Sequence, residues 1–159
     1  MELKDKIKNT ANALDGELIA IRRHLHAHPE LSFEEVETAK YISNKLTEYG
    51  IEHTTNVGGH GIVGLIKGNN PTKKIIALRA DMDALPIEEK NTCEYVSQNK
   101  GVMHACGHDV HTTCLLGAAK ILNELKDEFD GTIKLIFQPA EEKLPGGASI
   151  MIKDGVLEN

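Results

Sequence analysis

Three short segments hold the side chains of this sequence that could do chemistry. Met103-His-Ala-Cys-Gly-His-Asp-Val-His111 sets a thiol, Cys106, two positions from an imidazole, His108. Arg79-Ala-Asp-Met-Asp-Ala-Leu-Pro86 carries the carboxylates Asp81 and Asp83 just after an apolar run, and Phe137-Gln-Pro-Ala-Glu-Glu142 carries Glu141 and Glu142 after another. A Cys-x-His pair alone reads as packing, with a small buried thiol and a helix-start imidazole. A thiolate, an imidazole and a carboxylate brought together are a donor set for a divalent ion such as zinc, manganese or cobalt. An adjacent carboxylate pair adds the division of labour that a hydrolytic metal site requires, one binding the ion while the other takes a proton from an activated water. The blander reading of Glu141-Glu142 is a solvated acidic turn. Asp83 is placed to orient a ligating His, while Asp81 reads equally as a ligand and as a turn-former. A helix amino end after Cys106 is expected to lower its pKa and favour the thiolate.

The elements needed to gather these groups can be read from periodicity. Leu14, Leu18, Ile21 and Leu25 predict a helix over about residues 12–28, stopped by Pro29. Ser32-Phe-Glu-Glu35 offers a capping box for a second helix from about Phe33 to Tyr49, with Gly50 beyond its end. Residues 51–57, 61–67 and 74–80 are β-rich runs, and Gly68-Asn-Asn-Pro71 suggests a hairpin joining the latter two. Ile75-Ile-Ala-Leu78 lacks alternation and predicts a central strand covered on both faces. Residues 84–105 have no period. Val110, Cys114, Ala118, Ile121 and Leu125 mark a long helix with Cys114 on its buried side; 132–137 is a further strand, and Gly146-Gly147 opens a short helix that Gly155 closes.

Strand, helix, strand implies a right-handed βαβ crossover with residues 74–80 and 132–137 parallel. Ligands of such sheets gather outside the carboxyl ends of the strands. Asp81, Asp83, Glu141 and Glu142 should all emerge at that edge, with Cys106 and His108 at the start of the crossover helix. His24, His26 and His28 fall in the last turn of a helix, where imidazoles complement the dipole, so a structural role is favoured for them. His104 and His111 lie near the cluster without spacing that demands ligation.

Composition sets outer limits. The chain has 159 residues, 40% apolar and 26% charged, as one soluble globular domain would. A net charge of −6 and no basic–aromatic cluster argue against nucleic acid or an anionic membrane as partner. There is no apolar leader or long apolar span, and the odd set Cys93, Cys106 and Cys114 reads as reduced thiols of a cytoplasmic protein.

These motifs, with His24-Leu-His-Ala-His-Pro-Glu-Leu31 and Gly146-Gly-Ala148, resemble the metal-dependent N-acyl-amino-acid amidohydrolases and hippurate hydrolases, a branch of the aminoacylase–carboxypeptidase metallopeptidases. The resemblance implies a zinc-exopeptidase-like α/β fold, a three-layer α/β/α arrangement on a mixed, mainly parallel sheet. It implies two divalent metal ions held in part by Cys106, His108 and Glu142, with Glu141 as general base and Asp83 supporting the site. The substrate would be a small N-acyl amino acid or peptide-like amide. Family members are much longer, with a lid and dimerisation domain and further His ligands. The resemblance therefore implies that residues 1–159 are the N-terminal portion of a catalytic domain, weak in metal binding and turnover alone and open at one sheet edge. A dipeptidase or deacetylase of the same family, a non-catalytic α/β interaction module and a thiol redox protein are the competing readings.

Overall fold

A computed structural model describes residues 2–158. Three helices come first: α1 (Leu3–Ala13), α2 (Asp15–Ala27) and α3 (Val36–Glu48). Strands β1 (Glu52–Val57), β2 (Gly61–Lys67) and β3 (Ile75–Asp81) follow, then α4 (His108–Glu124), β4 (Thr132–Gln138) and α5 (Gly147–Lys153). The helix expected over 12–28 begins at Asp15, and α1 precedes it unannounced. Leu3, Ile7 and Ala11 do form an apolar stripe on α1, but the segment is polar on average and none of its residues is buried.

The sheet runs β1-β2-β4-β3. The β3–β4 pair is parallel, Ile75 opposite Thr132 through Asp81 opposite Gln138, as the βαβ reading requires. Both other pairs are antiparallel. The sheet is thus mixed, but antiparallel pairing outweighs the mainly parallel arrangement expected. The turn of residues 58–60 can only fold β2 back on β1, and β2 then runs against β4.

The expected hairpin between residues 61–67 and 74–80 does not form, because β4 inserts between them. Gly68-Asn69 docks on the approach to β4 instead: the Gly68 amide donates to the Gly131 carbonyl at 2.9 Å and the Asn69 amide to the Phe129 carbonyl at 2.8 Å. A Cβ at Gly68 would lie 2.5 Å from the Phe129 oxygen, so the approach demands glycine. The central position falls to β4 and not to β3. Strand β4 is buried along nearly its whole length, whereas Ile75 and Ile76 of β3 are 46% and 43% exposed and only its carboxyl end is covered.

Alternation along β2 and β4 builds two cores. Ile62, Ile66, Leu135 and Phe137 face Ile21 and Leu25 of α2, Ile42 and Leu46 of α3, and Leu115, Leu116 and Ala119 of α4. Each fully buried Ile, Leu or Phe among them contributes roughly 1.5–3 kcal/mol of transfer free energy. On the other face, Ile136 packs with Val57, Val63, Met151 of α5 and Val156, completing three layers. Lys134 also projects there, donating to the carbonyls of Val156 (2.9 Å) and Glu158 (2.7 Å). In α4 the buried face differs from the expected one, since Val110 and Cys114 are exposed. Apolar residues surround this helix, and the stripe chosen is the one continuous with His108: Thr112, Leu115, Leu116 and Ala119. Among the described residues no helix is long and apolar enough to cross a membrane.

Candidate metal centre

The parallel register that sets Asp81 opposite Gln138 makes β3 and β4 end together. Residues 82–83 and 139–142 leave the sheet side by side, and α4 starts above them. Cys106, His108 and Glu142 each offer a ligand atom, all within 4.8 Å of one another. Cys106 and Glu142 are exposed and His108 is buried, so the cluster runs from a solvent-open mouth down to a buried floor. Thiol, imidazole and carboxylate fit a borderline divalent ion such as zinc. A cleft of about 270 Å³ lined by Leu31, Ser32, Ala84, Leu85 and Pro86 opens beside Glu142. The roomier groove of about 610 Å³, between α1, α4 and β3, touches none of these groups.

Asp83 organises the floor. Its carboxylate accepts hydrogen bonds from the Ser32 hydroxyl (2.6 Å) and the Glu142 amide (3.0 Å), and lies 3.2 Å from His108 Nδ1. That nitrogen is also 2.9 Å from the Asp83 main-chain oxygen, which can only accept. Nδ1 therefore carries the proton, and the Nε2 lone pair is left for a metal. Burial alone would push the Asp83 carboxyl up, but hydrogen bonds from His108, Ser32 and the amides of Glu142 and Glu141 outweigh it and hold it down at about 2. The Asp83 hydrogen bond in turn pushes His108 upward, against its burial.

The expected lowering of the Cys106 pKa is not found. A hydrogen bond to Glu142 is the largest influence, followed by burial and by the charges of Glu142, Glu141 and Asp81, and all raise it. The carboxylates that the fold brings to Cys106 favour the neutral thiol over a free thiolate. Asp81 is buried, its Oδ1 takes Arg79 Nη1 at 2.7 Å, and the same guanidinium nitrogen reaches Gln138 Oε1 at 2.5 Å. His111 accepts the Asp81 amide at Nδ1 (3.2 Å). Glu141 is exposed beside the cluster, with its amide turned to Asp83.

Several supporting groups escaped the sequence reading. The capping box expected at Ser32 and Glu35 is not made. Glu30 caps α3 instead, accepting from the amides of Glu37 (3.1 Å) and Thr38 (2.7 Å). Ser32 and Glu35 both turn to the site, Glu35 Oε1 taking the Ala140 amide at 2.7 Å. Their signal was masked because Ser-x-x-Glu matches a cap so well. His26 is not a dipole-facing residue but is buried between Asp109 (Nδ1 to Oδ2, 2.7 Å) and Glu89 (Nε2 to Oε1, 3.0 Å), with Arg22 Nε 3.0 Å from Asp109. His104 is buried with no partner for either ring nitrogen among the described residues, and burial pushes its pKa down to about 4.

The comparisons agree with this geometry. The chain is 47% identical over 98% of its length to an N-acyl-L-amino acid amidohydrolase of Geobacillus stearothermophilus, and 52% identical over 91% to a hippurate hydrolase of Campylobacter jejuni subsp. jejuni. It spans 42% and 37% of those relatives' own lengths. The crystal structure of the Bacillus subtilis YXEP protein, described as a dinuclear metal binding peptidase from M20 family, superposes with a TM-score of 0.85 at 46% identity, over 92% of this chain and 41% of that one. The profile described as peptidase family M20/M25/M40 matches residues 77–159, which carry most of β3, the Cys-x-His turn and the glutamate pair. On the fold, the gathered donors and this match together, the chain belongs to peptidase family M20/M25/M40.

Proposed function

We propose that this chain is the front part of the catalytic domain of a metal-dependent amidohydrolase that cleaves the amide bond of N-acyl amino acids. The observation that carries the reading is the convergence of Cys106, His108 and Glu142 within 4.8 Å. The activities named for the relatives and their greater lengths support it. Cys106, His108 and Glu142 would hold one or both of two divalent ions, zinc, manganese or cobalt. Two anionic donors balance the charge of one such ion, and the Asp83 carbonyl fixes the His108 ring to present Nε2. A bound ion supplies Lewis acidity toward the amide carbonyl and acidifies a water.

The remaining steps fall to the chain's own groups. Glu141, the exposed partner of Glu142, takes the proton of the attacking water and later delivers it to the departing amine nitrogen. Asp83, fixed as an anion, holds the backbone of Glu142 and the ring of His108 so that both donors keep their separation. Three free thiols fit a cytoplasmic setting, and the resemblance supports a homodimer formed through a lid domain.

Titration with cobalt(II) tests the site in this chain, where a thiolate-to-cobalt absorption band should appear and vanish in Cys106→Ser. In the whole protein, Glu141→Gln should cut turnover of an N-acyl amino acid by at least about a hundredfold, the lower range for general base catalysis, while keeping metal content. Unchanged turnover in Glu141→Gln, or wild-type protein that takes up no cobalt, would overturn the reading.

A further inference from the structure

The turn that presents Glu141 and Glu142 is held from two directions. From below, Asp83 accepts the Glu142 amide at 3.0 Å. From the side, Glu35 Oε1 accepts the Ala140 amide at 2.7 Å, two residues earlier. Ala140 has a φ of 47°, a conformation that a side-chain-bearing residue adopts only when its surroundings impose it. Its carbonyl is engaged as well, accepting the Gly147 amide at 2.8 Å.

Glu35 itself is wholly buried, at 0% exposure, and its second oxygen, Oε2, has no partner among the described residues. The local amides of Glu35 itself and Phe33 also favour the buried carboxylate, but the Ala140 amide is its one long-range partner among the described residues. A buried carboxyl remains costly unless that contact does something an apolar side chain would not. Helix capping is not the reason, since Glu30 caps α3. The segment before α3 instead reaches the site twice, through Ser32 to Asp83 and through Glu35 to Ala140.

We propose that Glu35 is a positioning residue of the metal centre, fixing Ala140 in its left-handed conformation and so setting where Glu141 and Glu142 point. The inference rests on the metal-site reading above. Glu35 touches neither ion nor substrate. It acts through the turn, in the way that outer partners of ligating carboxylates tune a site.

The test measures cobalt(II) affinity and spectrum in this chain, with amide hydrogen exchange at Ala140 and thermal unfolding recorded alongside. Glu35→Gln keeps an acceptor at the same reach and should bind cobalt within about threefold of wild type. Glu35→Leu fills the space without an acceptor and should bind about tenfold or more weakly, with an altered spectrum and an unprotected Ala140 amide. Glu35→Asp withdraws the acceptor by one methylene and should also weaken binding; it carries the test should Glu35→Leu not fold. Leu46→Ala, a cavity in the main core, controls for stability: at comparable thermal loss it should leave cobalt affinity unchanged.

The proposal falls if Glu35→Leu or Glu35→Asp binds cobalt as wild type does, if Glu35→Gln is as weak as Glu35→Leu, or if Leu46→Ala weakens binding equally. In each of those cases wild-type binding leaves the metal-site reading intact. Wild-type protein that binds no cobalt at all removes both.

Discussion

Asp83→Asn isolates one buried charge whose contribution should be visible as a pH dependence. The Asp83 carboxyl is held at about 2 from an ordinary 3.8, and its side chain is 0% exposed, so solvent does not screen its partners. That difference corresponds to about 2 kcal/mol of folding stability at neutral pH. Because the folded value is the lower one, the stability is fully present above the unfolded pKa and is lost as pH falls from about 5 to about 2. Roughly half, about 1 kcal/mol, should be gone by pH 3. Asparagine cannot ionise, and its amino group would meet the His108 Nδ1 proton, so the variant should already be roughly 2–3 kcal/mol less stable at pH 6. Urea unfolding followed by circular dichroism, in the presence of chelator, should show this gap shrinking by about 1 kcal/mol between pH 6 and pH 3. Other carboxylates titrate in both proteins and cancel in the comparison. A gap that stays constant across that range would refute the assignment of Asp83 as a hydrogen-bonded anion.

Three further outcomes follow from the structure. In Gly147→Ala the new Cβ would sit 1.8 Å from the Pro139 carbonyl oxygen, so denaturant unfolding should show a loss of roughly 2–4 kcal/mol. Gly16→Ala, on a helical position of α2 with nothing within 4 Å, should gain about 0.5–1 kcal/mol. Cys106 and Cys114 are both exposed, and a hydrogen bond to Glu142, burial and the surrounding carboxylates push the Cys106 thiol up. Mass spectrometry should therefore find Cys106 alkylated slowly by iodoacetamide at pH 7.5, and zinc should protect Cys106 while leaving Cys114 reactive.

The parts of the fold that were legible in the sequence are those written in local periodicity. The βαβ unit was readable because apolar runs flank a helical stripe, and that unit alone places Asp83, Glu142 and Cys106 at one edge. Strand order was not, because Ile75-Ile-Ala-Leu78 and Ile133-Lys-Leu-Ile-Phe137 are similar apolar runs, and which of them is interior depends on pairing between distant residues. The two apolar stripes of α4 posed the same ambiguity, resolved by the anchoring of His108 on Asp83. At Ser32 and Glu35 a short-range pattern, the capping box, competed with a contact 105 residues away in sequence and lost. The Cys106 pKa depended on carboxylates that the fold, not the adjacent sequence, delivers.

The insertion of β4 between β2 and β3 has a consequence for the order of assembly. The β1–β2 hairpin can close as soon as residue 67 is available, yet β3 has no strand to join until the chain has been made through Gln138. During synthesis, roughly seventy residues must therefore emerge while two half-built edges wait, the kind of delay that makes non-local sheets slow to form and dependent on escorts such as chaperones.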